Sequence, residues 1–255
     1  MMELNKIYNE DCLEGMKRIP DGSVDMILCD LPYGTTACAW DTIIPFEPLW
    51  EQYERVIKDN GAIVLTASQP FASNLVMSNI KMFKYEWVWN KNRGTGFQIV
   101  KYKPLVSHES VLIFGKGKTI YNPQMRERDN PRLSKNKGTT RQMIVSKGES
   151  YTGKEPLKKR YPITSLEFSN NNQKDKFHPT QKPVALFEYF IKTYSNEGET
   201  VLDNCMGSGT TAIACMNTNR NYIGFELDET YYEKSLERIK NNTTQTDIFD
   251  VLEDN

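Results

Sequence analysis

The 255-residue chain lacks an apolar run of the length that crosses a bilayer, which takes about 18 or more residues. Its N-terminus lacks the basic start and apolar stretch of a secretory signal, so we expect no such leader. Histidine is scarce, with only His108 and His178. This scarcity disfavours most histidine-based metal or triad chemistry, and we expect no metal and no membrane association.

The cysteines do not indicate a disulfide framework or a metal site, because their number, five, is odd and no pair has C-x-x-C spacing. They are Cys12, Cys29, Cys38, Cys205 and Cys215. A disulfide scaffold and a structural zinc site are therefore not expected. Free thiols fit a reducing compartment, so we expect a cytoplasmic protein.

The net charge of −1 conceals an uneven distribution. Residues 81–160 hold 19 Lys and Arg against 6 Asp and Glu, a net of +13, whereas the rest of the chain carries −14. A solvated charged face is the simplest alternative, but 80 residues exceed one face of a helix. The distribution therefore favours a nucleic-acid partner for the basic third.

Short, near-continuous apolar runs recur along the chain and are typical of strands buried on both faces. These runs are residues 24–29, 61–67, 85–89, 110–114, 199–204 and 222–227. Helical spacing is found at residues 47–59, 183–194 and 228–241. The alternation predicts an α/β fold with a mainly parallel sheet. We expect the first of these helices to end at Asn60-Gly61 and the last to begin at Asp228.

One polar, basic segment interrupts this alternation at residues 120–177. Its length inside a compact domain indicates either a functional or a disordered segment, and its charge favours a mobile arm or a small lobe that contacts the polyanion. The sequence therefore predicts three parts: residues 1–119, the insertion 120–177, and residues 178–255.

The first chemical motif, Asp30-Leu31-Pro32-Tyr33, directly follows the apolar run 24–29. Ligands of open α/β sheets collect at the carboxyl ends of strands, so Asp30 is expected to face a crevice. An acidic acceptor, a backbone stiffened by Pro32 and the aromatic ring of Tyr33 suit a planar base that carries an amine. An ordinary turn after a buried strand is the alternative.

The second motif spans residues 203–211 and contains Gly207 and Gly209 between a strand and a helix. Glycines there let a ligand approach the backbone at a helix N-terminus. With Ala212 they match G-x-G-x-x-A, a pattern that is weak alone, and no Gly-Lys-Ser/Thr of a P-loop follows. Glu226 ends the next strand, where an acid suits a ribose diol, so a nucleoside-containing cofactor is predicted.

Four motifs in this order resemble the β class of DNA amino-methyltransferases, which use S-adenosylmethionine. They are Asp30-Leu31-Pro32-Tyr33, His178-Pro179-Thr180-Gln181-Lys182-Pro183, residues 203–211, and Gly224-Phe225-Glu226. The resemblance covers about residues 5–240. It implies a Rossmann-like methyltransferase sheet, mostly parallel with an antiparallel edge hairpin and a permuted motif order. The basic insertion stands where the family has its target-recognition region.

The resemblance assigns cofactor contacts by position. The glycine motif would approach the methionine part of the cofactor, Glu226 its ribose and Asp11 its adenine, while Thr180 and Lys182 flank the methionine end. The full expected set is Asp11, Asp30, Thr180, Lys182, Asp203, Gly207, Ser208, Gly209, Thr210 and Glu226. Aromatic residues of the hairpin at 87–90 and 110–114 are expected in the core rather than against a base.

The catalytic set implied by the resemblance is Asp30, Leu31, Pro32 and Tyr33. The Asp30 carboxylate and the Leu31 carbonyl would accept the two N–H bonds of an exocyclic amine, while Tyr33 stacks on a base flipped out of the duplex. The family usually has Pro where this chain has Leu31, but only the carbonyl of that position is thought to act. Candidate DNA contacts are Lys91, Arg93, Arg126, Arg128, Arg132 and Arg141.

The resulting hypothesis is site-specific methylation of adenine N6 in double-stranded DNA, by an enzyme for which a homodimer is allowed. Family members that modify cytosine N4 often begin the catalytic motif with Ser, so Asp30 favours adenine. A cytosine-N4 enzyme and a DNA-binding homologue without catalysis stay open as alternatives. A nicotinamide oxidoreductase would explain the glycines and Glu226, but neither the Asp30 motif nor the basic segment.

Overall fold

The computed structural model describes residues 2–36, 38, 41–132, 157–170 and 177–253. The chain forms two compact units, one of Met1–Asn122 with Thr164–Asn255 and one of Pro123–Ile163. Residues 120–122 and 164–170, within the insertion predicted at 120–177, are grouped with the larger unit. No helix in the described part of the chain has both the length and the apolar character needed to span a membrane.

The strands are β1 (Lys6–Asn9), β2 (Val24–Cys29), β3 (Ile57–Ala67), β4 (Phe83–Thr95), β5 (Val106–Phe114), β6 (Arg126–Arg132), β7 (Leu157–Arg160), β8 (Ser165–Glu167), β9 (Thr200–Asp203) and β10 (Asn221–Glu226). The helices are α1 (Cys12–Met16), α2 (Phe46–Val56), α3 (Phe71–Ser78), α4 (Val184–Tyr194), α5 (Thr210–Met216) and α6 (Glu229–Glu253). The predicted strands and helices are all present, whereas α1, α3, β6, β7 and β8 were not predicted.

The larger unit is built on an eight-stranded sheet in the order β1-β10-β9-β2-β3-β5-β4-β8. All neighbouring strands are parallel except β5, which is antiparallel to both β3 and β4. This confirms the predicted Rossmann-like sheet, mostly parallel with an antiparallel hairpin. Strand β8 pairs with β4, so the hairpin lies one strand inside the end of the sheet. The smaller unit contains the antiparallel pair β6–β7.

Helices cover both faces of the central strands, which explains their continuous apolar runs. All six residues of β2 are buried. One core layer includes Tyr53 of α2, and the other includes Phe190 of α4. Trp87 and Trp89 belong to the second layer, and the Trp87 indole donates to the Tyr194 hydroxyl at 2.6 Å. Their expected place in the core is confirmed.

The boundary between α2 and β3 was predicted wrongly. The helix ends at Val56, and Ile57 already pairs with Val24 in the sheet. Gly61 therefore lies in a strand rather than in a helix cap. A Cβ atom there would lie 2.7 Å from the backbone oxygen of Asp25, so only glycine fits this close approach. The start of α6 is as predicted, because the Asp228 carboxylate accepts from the Tyr231 N–H at 3.0 Å.

Candidate active site

The carboxyl ends of β1, β2, β9 and β10 meet at one edge of the sheet, because these strands are parallel. A cavity of about 920 Å³ opens there. Residues predicted for the site that line it are Asp11, Asp30, Leu31, Pro32, Tyr33, Thr180, Lys182, Asp203, Gly207, Ser208, Thr210 and Glu226. Gly209 is not among the lining residues and forms the N-cap of α5, with φ +74°. Segments far apart in the sequence thus form one pocket.

The Asp30 carboxylate at the end of β2 is held by three donors. Its Oδ1 accepts from the Tyr33 hydroxyl at 2.8 Å and from the Thr66 hydroxyl, and its Oδ2 accepts from the Lys182 ammonium at 2.5 Å. The Tyr33 ring packs on Phe71, with 5.1 Å between the ring centroids. Burial, with the nearby Asp30 charge, raises the pKa of Tyr33 well above its ordinary value, which keeps the phenol neutral and able to donate.

Lys182 lies between two carboxylates. Its amine contacts Asp30 and also lies 3.5 Å from Glu109 Oε2. The other carboxylate oxygen of Glu109 accepts a hydrogen bond from the Lys91 amine. Burial alone lowers the pKa of Lys182, but the charges of Asp30 and Glu109 outweigh it and raise that pKa overall. Burial likewise raises the pKa of Glu109, and the two lysines reverse the shift and lower it. Both shifts favour the charged forms of Lys182 and Glu109.

The glycine motif places Asp203 deep in the pocket wall, at 2% exposure. Its carboxylate accepts from the Cys205 N–H at 3.0 Å and from the Thr211 hydroxyl. Burial raises the pKa of Asp203 to about 6. Gly207 follows with φ +52°, a conformation that favours glycine. The loop thus brings its backbone close to a buried acid at the pocket wall.

Glu226 closes this side of the pocket from the end of β10. Its Oε2 accepts from the Gly207 N–H at 2.7 Å, and its Oε1 accepts from the Asp228 N–H at 2.9 Å. Burial raises the pKa of Glu226. The parallel pairing of β9 with β10 brings this acid to the glycine loop.

The remaining predicted cofactor residues have structural partners in the pocket wall. The Asp11 Oδ1 caps α1 by accepting from the N–H groups of Leu13 at 2.8 Å and Glu14 at 3.3 Å. The Thr210 hydroxyl lies 3.0 Å from that of Ser208 and donates to the Lys182 carbonyl at 3.4 Å. This last bond ties the glycine loop to the segment that carries Lys182.

The predicted DNA contacts belong to both units of the chain. The ammonium of Lys91 is buried against Glu109, which does not favour a phosphate contact. Arg93 is exposed, with its guanidinium 5.7 Å from the centre of the Phe97 ring. Arg126 and Arg128 lie on β6 in the smaller unit, where Arg128 donates to the Lys159 carbonyl at 3.0 Å. Arg132 ends that strand, and Arg141 lies outside the described residues.

Thr66, Glu109 and Asp41 are among the side chains of the site that were not predicted. Asp41 accepts from the backbone N–H groups of residues 34–36 at 2.6–2.9 Å, which fixes the loop that follows Tyr33. Burial acts to raise the pKa of Asp41, but the Thr36 side chain and these backbone N–H groups lower it overall. Glu109 carried a signal, a lone acid at the start of the apolar run 110–114, whereas Asp41 carried none.

The pocket suits S-adenosylmethionine, which is cationic at its sulfur and its amino group and carries a ribose diol and an adenine. The pocket lining contains two acids, Asp203 and Glu226, and part of the glycine loop, which are groups of the kind that fit a cation, a ribose diol and a closely approaching ligand. Within the described ranges, no group of three or more His, Cys, Asp or Glu side chains could hold a metal ion.

Comparison with known proteins gives consistent matches. The family model described as DNA methylase (N6/N4 methyltransferases) matches residues 24–237. The Type II methyltransferase M.HpaI of Haemophilus parainfluenzae is 27% identical over 258 residues, covering 96% of this chain and 77% of that protein. The Type II methyltransferase M1.MboII of Moraxella bovis is 26% identical over 254 residues, covering 92% of this chain and 96% of that protein.

Solved structures agree with these matches. The complex of M1.HpyAVI with SAM has a TM-score of 0.60 and 26% identity, covering 91% of this chain and 98% of that one. The cytosine-N4-specific PvuII DNA methyltransferase has a TM-score of 0.66 at 16% identity, and the match covers 96% of this chain and 93% of that one. This similarity shows a shared fold.

Proposed function

Because this chain belongs to the DNA methylase family and is an S-adenosylmethionine-dependent DNA methyltransferase, we propose that it methylates adenine N6 at a specific site in double-stranded DNA. The observation that carries the proposal is the Asp30 carboxylate, fixed by three donors in the lining of a pocket suited to the cofactor. Such a carboxylate can bind and orient an exocyclic amine.

In the proposed complex, Glu226 binds the ribose hydroxyls, Asp11 lies by the adenine, and Asp203 with the glycine loop surrounds the methionine part. The bound cofactor supplies an electrophilic methyl group on its sulfonium. Asp203 and Asp30 both line the pocket. The methyl group and the acceptor carboxylate are thereby brought to one place, and positioning of this kind accounts for much of a transfer rate.

The amine of adenine is a poor nucleophile because its lone pair is delocalised into the ring. A carboxylate offers about four acceptor positions, so Asp30 Oδ2, which accepts one bond from Lys182, retains room for an N–H of the amine. The Leu31 carbonyl accepts the second N–H. These bonds draw the lone pair out of conjugation and direct it at the methyl group, an electrostatic effect of prearranged acceptors. The N–C bond would form as the S–C bond breaks to leave a neutral thioether, and the amine would release one of its protons to the Asp30 carboxylate or to water.

The target base must leave the duplex to reach Asp30, at a cost of a few kcal/mol. Phosphate contacts from the basic residues 81–160 offset that cost, with Arg93, Arg126 and Arg128 as the exposed or partly exposed candidates. The smaller unit would supply sequence recognition.

Cytosine N4 is the second candidate, since the same acceptors suit its amine, and Asp30 in place of Ser favours adenine. Homodimer formation is part of the proposal on resemblance alone.

The test uses purified protein, unmethylated DNA of mixed sequence and methyl-labelled S-adenosylmethionine, with nucleosides resolved by mass. Label in N6-methyladenosine supports the proposal, and label in N4-methylcytosine replaces it with the second candidate. Asp30→Ala should abolish transfer while cofactor binding survives. The matched control is Asp59→Ala, which removes an almost fully exposed carboxylate and should leave transfer unchanged. Wild-type turnover in Asp30→Ala would refute the mechanism.

A further inference from the structure

A row of alternating charges runs through the pocket wall: Lys91, Glu109, Lys182 and Asp30. Glu109 lies early in β5, and because β5 is antiparallel to its neighbours, this early position falls at the edge where the parallel strands end. Lys91 reaches it from β4, which pairs with β5. The row therefore connects the hairpin to the catalytic motif.

These charges are largely withdrawn from water. The side chains of Lys91, Glu109 and Lys182 are 8%, 11% and 6% exposed. Buried ion pairs often contribute little net stability, because desolvation offsets their attraction. An arrangement of this kind is therefore better explained by the geometry that it imposes than by the stability that it adds.

We propose that Glu109 is a positioning residue for methyl transfer, which acts through Lys182 to fix the Asp30 carboxylate. The inference rests on the proposed function, because it assigns Asp30 the role of amine acceptor. Lys182 has a flexible stem, and Asp30 alone would hold it on one side only. Glu109 attracts it from a second side at 3.5 Å and is itself fixed by Lys91. The Lys182 amine then occupies one acceptor position of Asp30 Oδ2 and leaves another for the substrate.

The same arrangement keeps Lys182 charged over a wide pH range. The groups that face its amine are Asp30, Glu109 and the Tyr33 ring, with Lys91 behind Glu109 and His178 on its own segment. Loss of Glu109 removes one of the two carboxylates that raise the pKa of Lys182, so that pKa falls. The ammonium is then lost at lower pH, and with it the fixed orientation of Asp30.

The test compares Glu109→Gln with Glu109→Asp and with Glu3→Gln, which makes the same change in an exposed pair with Lys6. We expect Glu109→Gln to lower kcat at least about tenfold while the Kd for S-adenosylmethionine changes less than about twofold. The alkaline limb of its pH–rate profile should move to lower pH. Glu109→Asp retains the charge and should restore that limb, and Glu3→Gln should match the wild type.

A double-mutant cycle tests the route through Lys182. In a Lys182→Met background, Glu109→Gln should lower kcat by less than about twofold further, because residues that act as a unit are not additive. A full additive loss would overturn the inference, as would an unmoved alkaline limb in Glu109→Gln. If Glu109→Gln does not fold, the double variant Lys91→Met/Glu109→Gln replaces it in the test. The double variant also removes the buried Lys91 ammonium, which would otherwise lose its partner.

Failure of the inference can be separated from failure of the proposed function. Total label in DNA reports on Glu109, whereas nucleoside analysis identifies the base. If the wild type transfers no label, the proposed function fails, and a crystal structure of Glu109→Gln still decides the positioning role. Displacement of the Lys182 amine from Asp30 supports that role, and an unchanged contact overturns it.

Discussion

Replacing Asp203 with asparagine should stabilise the free protein at neutral pH, although the residue lies in the proposed cofactor site. Asp203 is buried, and the partners of its carboxylate described above are neutral, the Cys205 N–H and the Thr211 hydroxyl. Burial therefore raises the pKa of Asp203 from 3.8 to about 6. A folded-state pKa above the unfolded-state value means that stability is lost as the pH rises from about 4 through about 6.

The size of the effect follows from that interval. A difference of about two pH units corresponds to about 3 kcal/mol, at about 1.4 kcal/mol per unit. Asparagine has the same shape and no charge. Its amide oxygen can accept from the Cys205 N–H, and its amide nitrogen can donate to the Thr211 hydroxyl. The exchange should thus retain both bonds and remove the penalty, raising the free energy of unfolding by up to about 3 kcal/mol above pH 6.

Urea unfolding of the wild type and of Asp203→Asn, without cofactor and between about pH 4 and 8, measures the difference in their free energies of unfolding. The gain should be near zero at about pH 4 and reach a plateau above about pH 7. Asp25→Asn is the control, because Asp25 is a buried carboxylate that pairs with Lys58 at 2.5 Å, and its loss of charge should lower stability at neutral pH. Equal stability of wild type and Asp203→Asn at pH 8, or a gain as large at pH 4, would refute the reasoning.

Three further outcomes are expected. Asp41→Ala removes the acceptor of three N–H groups in residues 34–36, so thermal unfolding should show a loss of about 1–3 kcal/mol, together with a lower kcat. Tyr33→Phe deletes the hydroxyl that donates to Asp30, and kcat should fall about tenfold with the cofactor Kd unchanged, whereas an unchanged kcat would mean that Thr66 suffices. The affinity for S-adenosylmethionine, followed by calorimetry, should weaken below about pH 6 as Asp203 takes up a proton, and this dependence should vanish in Asp203→Asn.

The sequence was informative where the signal is local. Strand β2 was recognisable because both faces are covered, which leaves an unbroken apolar run. Gly207 and Gly209 were recognisable because left-handed backbone favours glycine, and both have positive φ. The local signal at Gly61 was misleading. Glycine is typical of a helix C-cap, but here it allows the close approach of β3 to the backbone of Asp25 in β2.

The order of four motifs along the chain was sufficient to identify the family, the mainly parallel sheet and the pocket at the strand ends, since parallel strands must bring their carboxyl ends together. Glu109 stands out in the sequence as an acid beside the apolar run 110–114, but the sequence could not reveal that it belongs to that pocket. Its place depends on the antiparallel direction of β5, which a run of apolar residues does not encode. The contacts of Lys182 with Asp30 and of Asp41 with residues 34–36 were likewise decided only by tertiary packing. A buried charge is stable only when it is paired, and the fold determines which partner lies near it.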